Sequence, residues 1–198
     1  MSIRVVALLL ASLAAPLSAA TIVVLGDSLS DAYGMPREAG WPALLDHRLG
    51  EHVRVIDGAI SGDTSAGAVT RVQDLLDEIE PQVLVVILGG NDGLRGLPPR
   101  ELERNLEAII EAGKAAGAQV ALMQIRLPPN LGPVYIERFE AVYPRLAERH
   151  QVTLIPFFLQ DLFDQPGMMM DDGIHPTEAA QPILAGFMEP YVRKLLRN

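Results

Sequence analysis

The sequence predicts an α/β protein: a parallel sheet of five strands covered by helices on both faces, in a three-layer α/β/α arrangement. Three observations carry this. Strand-like and helix-like segments alternate with no obvious linker and no internal repeat, the pattern of successive βα units. The run Val83–Leu88 is continuously Val, Leu and Ile, which marks a strand buried on both faces. The opening run Val23-Val24-Leu25 stops at Gly26, with Asp27 and Ser28 directly after it. That puts a hydroxyl at the carboxyl end of a first strand, where open α/β sheets bind ligands.

Taken in order, Thr21–Leu25 is the first strand. Trp41–Leu49 is a helix, with Pro42 acceptable in its first turn. Val53–Ile56 is the second strand. Thr64–Ile79 is the second helix, capped by Asp63 or Thr64 and ended before Pro81. After the Val83–Leu88 strand, a third helix follows Pro98-Pro99. Its apolar residues Leu102, Leu106, Ile109 and Ile110 recur on one helical face. Val120–Gln124 is the fourth strand, Tyr135–His150 a further helix, and Val152–Ile155 the fifth strand. A last helix spans about Thr177–Leu196, with Phe187, Tyr191 and Leu195 on one stripe.

Bulk properties narrow the class. A length of 198 residues suits one domain with a sizeable core. Half of the residues are apolar and the charge content is ordinary, which excludes a disordered chain. The net charge of −9 argues against a nucleic-acid partner, which needs cationic phosphate contacts. Residues 1–20 read as an export signal: Arg4 supplies a positive start, Val5–Ala15 a short apolar stretch, and Ser18-Ala19-Ala20 small residues before a cut. The expected location is therefore periplasmic, with secretion as the alternative, and a single domain covers residues 21–198. No later stretch is long and apolar enough to span a bilayer. There is no cysteine, so the exported domain folds without disulfides and has no thiol nucleophile.

Four short segments carry the chemistry. Gly26-Asp27-Ser28-Leu29, Ala59-Ile60-Ser61-Gly62-Asp63 and Gly89-Gly90-Asn91-Asp92 follow the first three strands. Right-handed crossovers put those strand ends on one sheet edge, so Ser28, Gly62 and Asn91 share one crevice. The fourth segment, Asp172-Gly173-Ile174-His175, precedes the last helix. Ser28 can attack a carbonyl if a base takes its proton. His175 is the natural base. Asp172, three residues earlier, can fix its tautomer and stabilise the imidazolium. The backbone amides of Ser28 and Gly62 and the side-chain amide of Asn91 can form an oxyanion hole. Losing one such donor typically costs about 100- to 1,000-fold in turnover.

In order and in content, these segments resemble the four blocks of the SGNH (GDSL) hydrolase family: GDSL around Ser28, a glycine block at Gly62, GxND at Gly89–Asp92, and DxxH at Asp172–His175. None of the blocks departs from the pattern. The flanking text, including Ile60–Ser65, Leu88–Gly96, Leu122–Pro128 and Asp171–Pro176, resembles the branch of bacterial esterases that also act as acyl-CoA thioesterases and lysophospholipases. The resemblance covers essentially residues 21–198. It implies a flavodoxin-like fold with strand order 2-1-3-4-5. It also implies no metal, no organic cofactor, and small acyl esters, thioesters or lysophospholipids as substrates. Transient contact with membrane lipid and a monomeric state are further expectations.

Leu94, Leu97 and Leu127 are the candidate acyl-binding residues. Leu94 and Leu97 lie on the Gly93–Pro99 loop after Asn91, whose two glycines can hinge it over a bound chain; the plain alternative is an ordinary loop leading into a helix. Leu127–Leu131 is a candidate neighbouring wall. Met168-Met169-Met170 reads as packing before the acid/base loop. His47, His52 and His150 read as solvated residues near helix ends, with no close His pair to hold a metal. Two other functions remain open at this stage. One is a carbohydrate acetyl esterase, which would have a short polar pocket. The other is a non-catalytic acyl or lipid carrier, which the complete Ser28, His175 and Asp172 set disfavours.

Overall fold

The computed structural model describes residues 19–197. Five strands form one parallel sheet: β1 (Ala20–Gly26), β2 (Val53–Asp57), β3 (Val83–Ile87), β4 (Gln119–Met123) and β5 (Thr153–Ile155), in the order β2-β1-β3-β4-β5. The α-helices among the described residues are α1 (Trp41–Leu49), α2 (Ser65–Ile79), α3 (Gly90–Leu94), α4 (Pro99–Ala115), α5 (Pro133–Glu140), α6 (Val142–His150) and α7 (Gln181–Leu195). α1 packs on α7 to form one outer layer, while α2, α4 and α6 pack side by side to form the other. The reversal of strand order after β2 separates the two layers. It also creates a switch point between β1 and β3, at whose carboxyl edge a crevice forms.

Both faces of the central strands are covered, which is why β3 carries no polar residue and every one of its side chains is buried. The edge strand β2 is only half-buried and carries two charged residues, the exposed Arg54 and the half-buried Asp57. Trp41, fully buried, anchors the α1/α7 side. Its backbone amide donates to Gln181 Oε1 at 2.9 Å. Gly40 precedes α1 and has no side chain to cap it, so a residue from the start of α7 satisfies one of the unpaired amides of that helix end.

Most predicted elements fall within a residue or two of those observed. Three differ in kind. The expected helix over Tyr135–His150 is two helices, α5 and α6, that meet at Ala141. Pro144 explains the break: it has no amide to donate to Glu140, and its ring would collide with that carbonyl in a continuous helix. The expected last helix begins with a 3₁₀ turn, Glu178–Ala180, before α7. Its buried face is Leu184, Met188, Val192 and Leu195. Of the expected stripe only Leu195 is buried; Phe187 and Tyr191 are half-buried and pack as a tilted pair with their centroids 5.5 Å apart. Finally, Gly90–Leu94 is a short helix rather than a plain turn.

Of the expected export signal, residues 1–18 lie outside the described residues. Ala20, the expected last residue of that signal, is already the first residue of β1; it pairs with Val53, and its amide donates to the His52 carbonyl at 2.9 Å.

Candidate active site

The nucleophile candidate stands on a tight turn. Immediately after β1, the amides of Ser30 and Asp31 donate to the Asp27 carbonyl at 2.9 and 3.1 Å. The Leu29 amide donates to Asp27 Oδ1 at 3.1 Å, and the Leu29 carbonyl accepts from the Trp41 indole at 3.0 Å. Ser28 is thus held between a buried carboxylate and the buried tryptophan, with its Oγ at the cleft.

The structure brings Ser28, His175 and Asp172 together. His175 Nε2 lies 2.9 Å from Ser28 Oγ, and His175 Nδ1 lies 2.6 Å from Asp172 Oδ2. The other oxygen of Asp172 accepts from the amides of Ile174 and His175 at 2.9 and 3.0 Å. Desolvation pushes the Asp172 carboxyl up, but hydrogen bonds from the His175 amide and ring and from the Ile174 amide, with the charge on His175, bring it down to about 2. The acid is therefore ionised at neutral pH. The loop itself is pinned to the methionine run: Met170 N donates to the His175 carbonyl and Thr177 N to the Met168 carbonyl, each at 2.8 Å. Met168 and Met169 pack on the core, the structural role expected for this run.

Two of the three expected oxyanion donors are unengaged. Among the described residues, neither the Ser28 nor the Gly62 amide has a hydrogen-bond acceptor. Gly62 has φ +80°, and a Cβ there would meet nothing within 4 Å; the conformation, rather than crowding, favours glycine. Asn91 differs from the expectation. Its Nδ2 lines the cleft, yet it donates to Asp27 Oδ2 at 3.2 Å and to the Asp63 carbonyl at 2.9 Å. Both amide protons are committed, so donation to an oxyanion means sharing or releasing one of them. Asp27 itself is 1% exposed. Burial raises its carboxyl to about 6, against the pull of Leu29, Asn91 and His175, with Asp92 adding to the rise.

The cleft above these groups has a volume of about 570 Å³. Its apolar lining includes Leu94, Ile125, Leu127, Phe157, Phe163 and Ile174. Leu94 and Leu127 are thus where the sequence put them. Leu97 is not: it is absent from the lining and half-buried elsewhere. Its amide donates to the Asp92 carbonyl at 2.9 Å and its carbonyl accepts from Tyr135 Oη at 2.8 Å, which turns it away. Of the neighbouring wall, Leu127, Pro128 and Pro129 reach the cleft.

This arrangement has counterparts among known proteins. Residues 24–182 match the GDSL-like Lipase/Acylhydrolase family. The chain belongs to that family. It is 49% identical over 170 residues to an arylesterase of Vibrio mimicus, covering 84% of this chain and 85% of the relative. It is 45% identical over 181 residues to a thioesterase 1/protease 1/lysophospholipase L1 of Escherichia coli, covering 91% and 87%. The crystal structure of the psychrotrophic esterase EstA from a Pseudoalteromonas species, inhibited by monoethylphosphonate, superposes with a TM-score of 0.85 at 39% identity, covering 90% of this chain and 99% of that one.

Three features of this GDSL-like acylhydrolase were not legible in its sequence. Tyr33 stacks on the His175 ring, with centroids 4.1 Å and planes 23° apart; no spacing rule marks an aromatic five residues past the serine. Asp92 is buried and accepts from both the amide and the hydroxyl of Ser65. A carboxylate from the third block thereby caps the positive end of α2. Glu140 and Arg126 line the cleft, and no motif or spacing in the sequence singled out either. His150, expected to be solvated, is half-buried and sits 3.0 Å from Glu107. Glu107, Glu111 and His150 have ligand atoms close enough to hold a metal, but Glu107 is already paired with Arg149 at 2.9 Å. The group is an ion-pair network.

Proposed function

We propose that this protein is a serine esterase that hydrolyses acyl esters, including aryl esters, and also thioesters and lysophospholipids, through an acyl-serine intermediate. The observation that carries this is the continuous hydrogen-bonded chain from Ser28 Oγ through His175 to Asp172, opening on a cleft that also presents two unengaged amides. Ser28 Oγ attacks the carbonyl carbon while its proton passes to His175 Nε2. The amides of Ser28 and Gly62 receive the oxyanion, with Asn91 contributing as its existing bonds loosen. Collapse breaks the bond to the alcohol or thiol, which leaves with the proton from His175. Water then attacks the acyl-serine, gives a proton to His175, and releases the acid with Ser28 restored. Asp172, ionised throughout, stabilises each imidazolium. None of these steps calls for a metal or an organic cofactor.

The apolar lining favours acyl chains over acetyl groups on glycans. The names of the relatives, arylesterase and thioesterase/lysophospholipase, support the same substrate classes. Tyr33, Leu94, Phe163 and Ile174 are exposed around the cleft, which supports brief contact with lipid aggregates. The composition of residues 1–20 supports export to the periplasm.

The test is hydrolysis of p-nitrophenyl esters from C2 to C16 by the protein and by Ser28→Ala. Turnover lost in the variant, with an optimum beyond C2, is the expected result. A folded protein inactive on every ester overturns the assignment.

A further inference from the structure

The loop carrying Gly62 needs an explanation for its precision. An oxyanion donor is effective only when its N–H already points at the developing charge. The Gly62 amide has no partner of its own among the described residues, and a glycine backbone is less restricted than that of any other residue type. Its orientation must therefore be imposed by neighbours.

One of them is Asp31. Its Oδ2 accepts from the Ser61 amide at 3.0 Å and from Ser61 Oγ at 2.9 Å. Its own amide donates to the Asp27 carbonyl at 3.1 Å, so Asp31 belongs to the same turn that presents Ser28. Its Oδ1 pairs with Arg37 at 3.0 Å. The Asp31 side chain is 18% exposed although its partner Arg37 is 70% exposed. An ion pair with so exposed a partner contributes little, whereas two hydrogen bonds from one residue to a single carboxylate oxygen fix a direction. One peptide further on, the Gly62 carbonyl accepts from Arg95 Nη2 at 2.9 Å.

We propose that Asp31 is a positioning residue: its carboxylate ties the turn of the nucleophile to Ser61, whose carbonyl carbon carries the Gly62 nitrogen, and so aims the Gly62 amide at the substrate oxygen held over Ser28. It acts through Ser61 and touches no reacting atom. The effect belongs to the transition state, because the charge on the carbonyl oxygen develops only there. This rests on the esterase reading, so the wild-type protein and Ser28→Ala are assayed alongside. A folded, inactive wild type overturns both proposals; an active wild type leaves Asp31 to be judged by itself.

The experiment is kcat and KM for p-nitrophenyl butyrate in Asp31→Ala, Asp31→Asn, Asp31→Glu and Arg37→Ala. Asp31→Ala should lose about tenfold in kcat with KM within about twofold, a partial misplacement of one donor. Asp31→Asn keeps a carbonyl oxygen toward Ser61 and should recover most of the loss. Asp31→Glu keeps the charge beside Arg37 but carries the acceptor one methylene too far, and should lose kcat as Asp31→Ala does. Arg37→Ala should stay within about twofold of wild type. Wild-type kcat in both Asp31→Ala and Asp31→Glu, or a loss confined to KM, overturns the proposal. If Asp31→Ala does not fold, Asp31→Glu alone decides between the two outcomes.

Discussion

Asp27 shows how one buried group can couple stability to pH. Its carboxyl titrates at about 6 in the folded protein against an ordinary value of 3.8. The folded state then holds its proton more tightly than the unfolded state does. This contribution therefore favours folding as pH falls from about 6 to about 4, and is lost as pH rises through 6. The difference corresponds to about 3 kcal/mol. Asp27→Asn removes it: urea unfolding at pH 4.5 and 7.5 should give the variant a larger gain in stability on going to pH 7.5 than wild type shows. An identical pH dependence in the two proteins contradicts the assignment. Asp172 runs the other way. Its low pKa makes a contribution present above about pH 4 and lost as pH falls toward 2.

Glu140 is the residue-scale candidate for substrate choice. It lines the cleft, and its Oε1 accepts from the Leu127 amide at 3.3 Å. Leu127 follows β4, which lies two strands from β1, roughly 10 Å across the sheet edge from the strand that carries Ser28. A hydrocarbon chain reaching a half-buried carboxylate must strip water from it without replacing the hydrogen bonds. Glu140→Leu should therefore move the chain-length optimum for p-nitrophenyl esters toward longer acyl groups. A profile that scales uniformly or does not move refutes this role.

At the scale of elements, the junction between β3 and α3 is the most demanding. Gly89 has φ +118°, and a Cβ there would collide with Tyr143 Oη and crowd Leu102 and Phe139. Tyr143 is fully buried, and its hydroxyl donates to the Leu88 carbonyl at 2.9 Å, so it cannot retreat cheaply. Gly89→Ala should cost about 3 kcal/mol or more, read as a lower urea midpoint with an unchanged denaturant slope. A midpoint equal to wild type would show that the helix α6 side can yield. This junction delivers Asn91 to the cleft, so α6, remote from the chemistry, helps hold the site.

At the scale of the whole molecule, function depends on where chain order and strand order diverge. β1 and β3 are neighbours although β2 and α2 intervene in sequence. That puts the loops after β1, β2 and β3 on one edge, and the α7 side returns Asp172 and His175 to meet them. The net charge of −9 makes copies of the chain repel one another, so the expected state is a single chain in solution. Sedimentation velocity should give the mass of one chain, and a concentration-dependent shift to a dimer would refute it.

The sequence by itself determined the fold class and the reactive trio. Period and composition report burial, and a continuous Val/Leu/Ile run such as Val83–Leu88 admits few alternatives. Ser28, Gly62 and Asn91 were legible because each follows a strand whose end topology brings to one edge, and Asp172 and His175 because their residue types, three apart, match the last block of the family they resemble. The tertiary structure alone decided the rest. Tyr33 stacks on His175, Asp92 caps α2, Asp31 grips Ser61 and both protons of Asn91 are committed. Leu97 holds Tyr135 by its backbone carbonyl and stays out of the cleft lining. These are side-chain directions, fixed by packing between segments far apart in the chain, and no local periodicity encodes them. The split of α5 from α6 is the intermediate case: Pro144 was visible in the sequence, and its consequence follows from one missing amide.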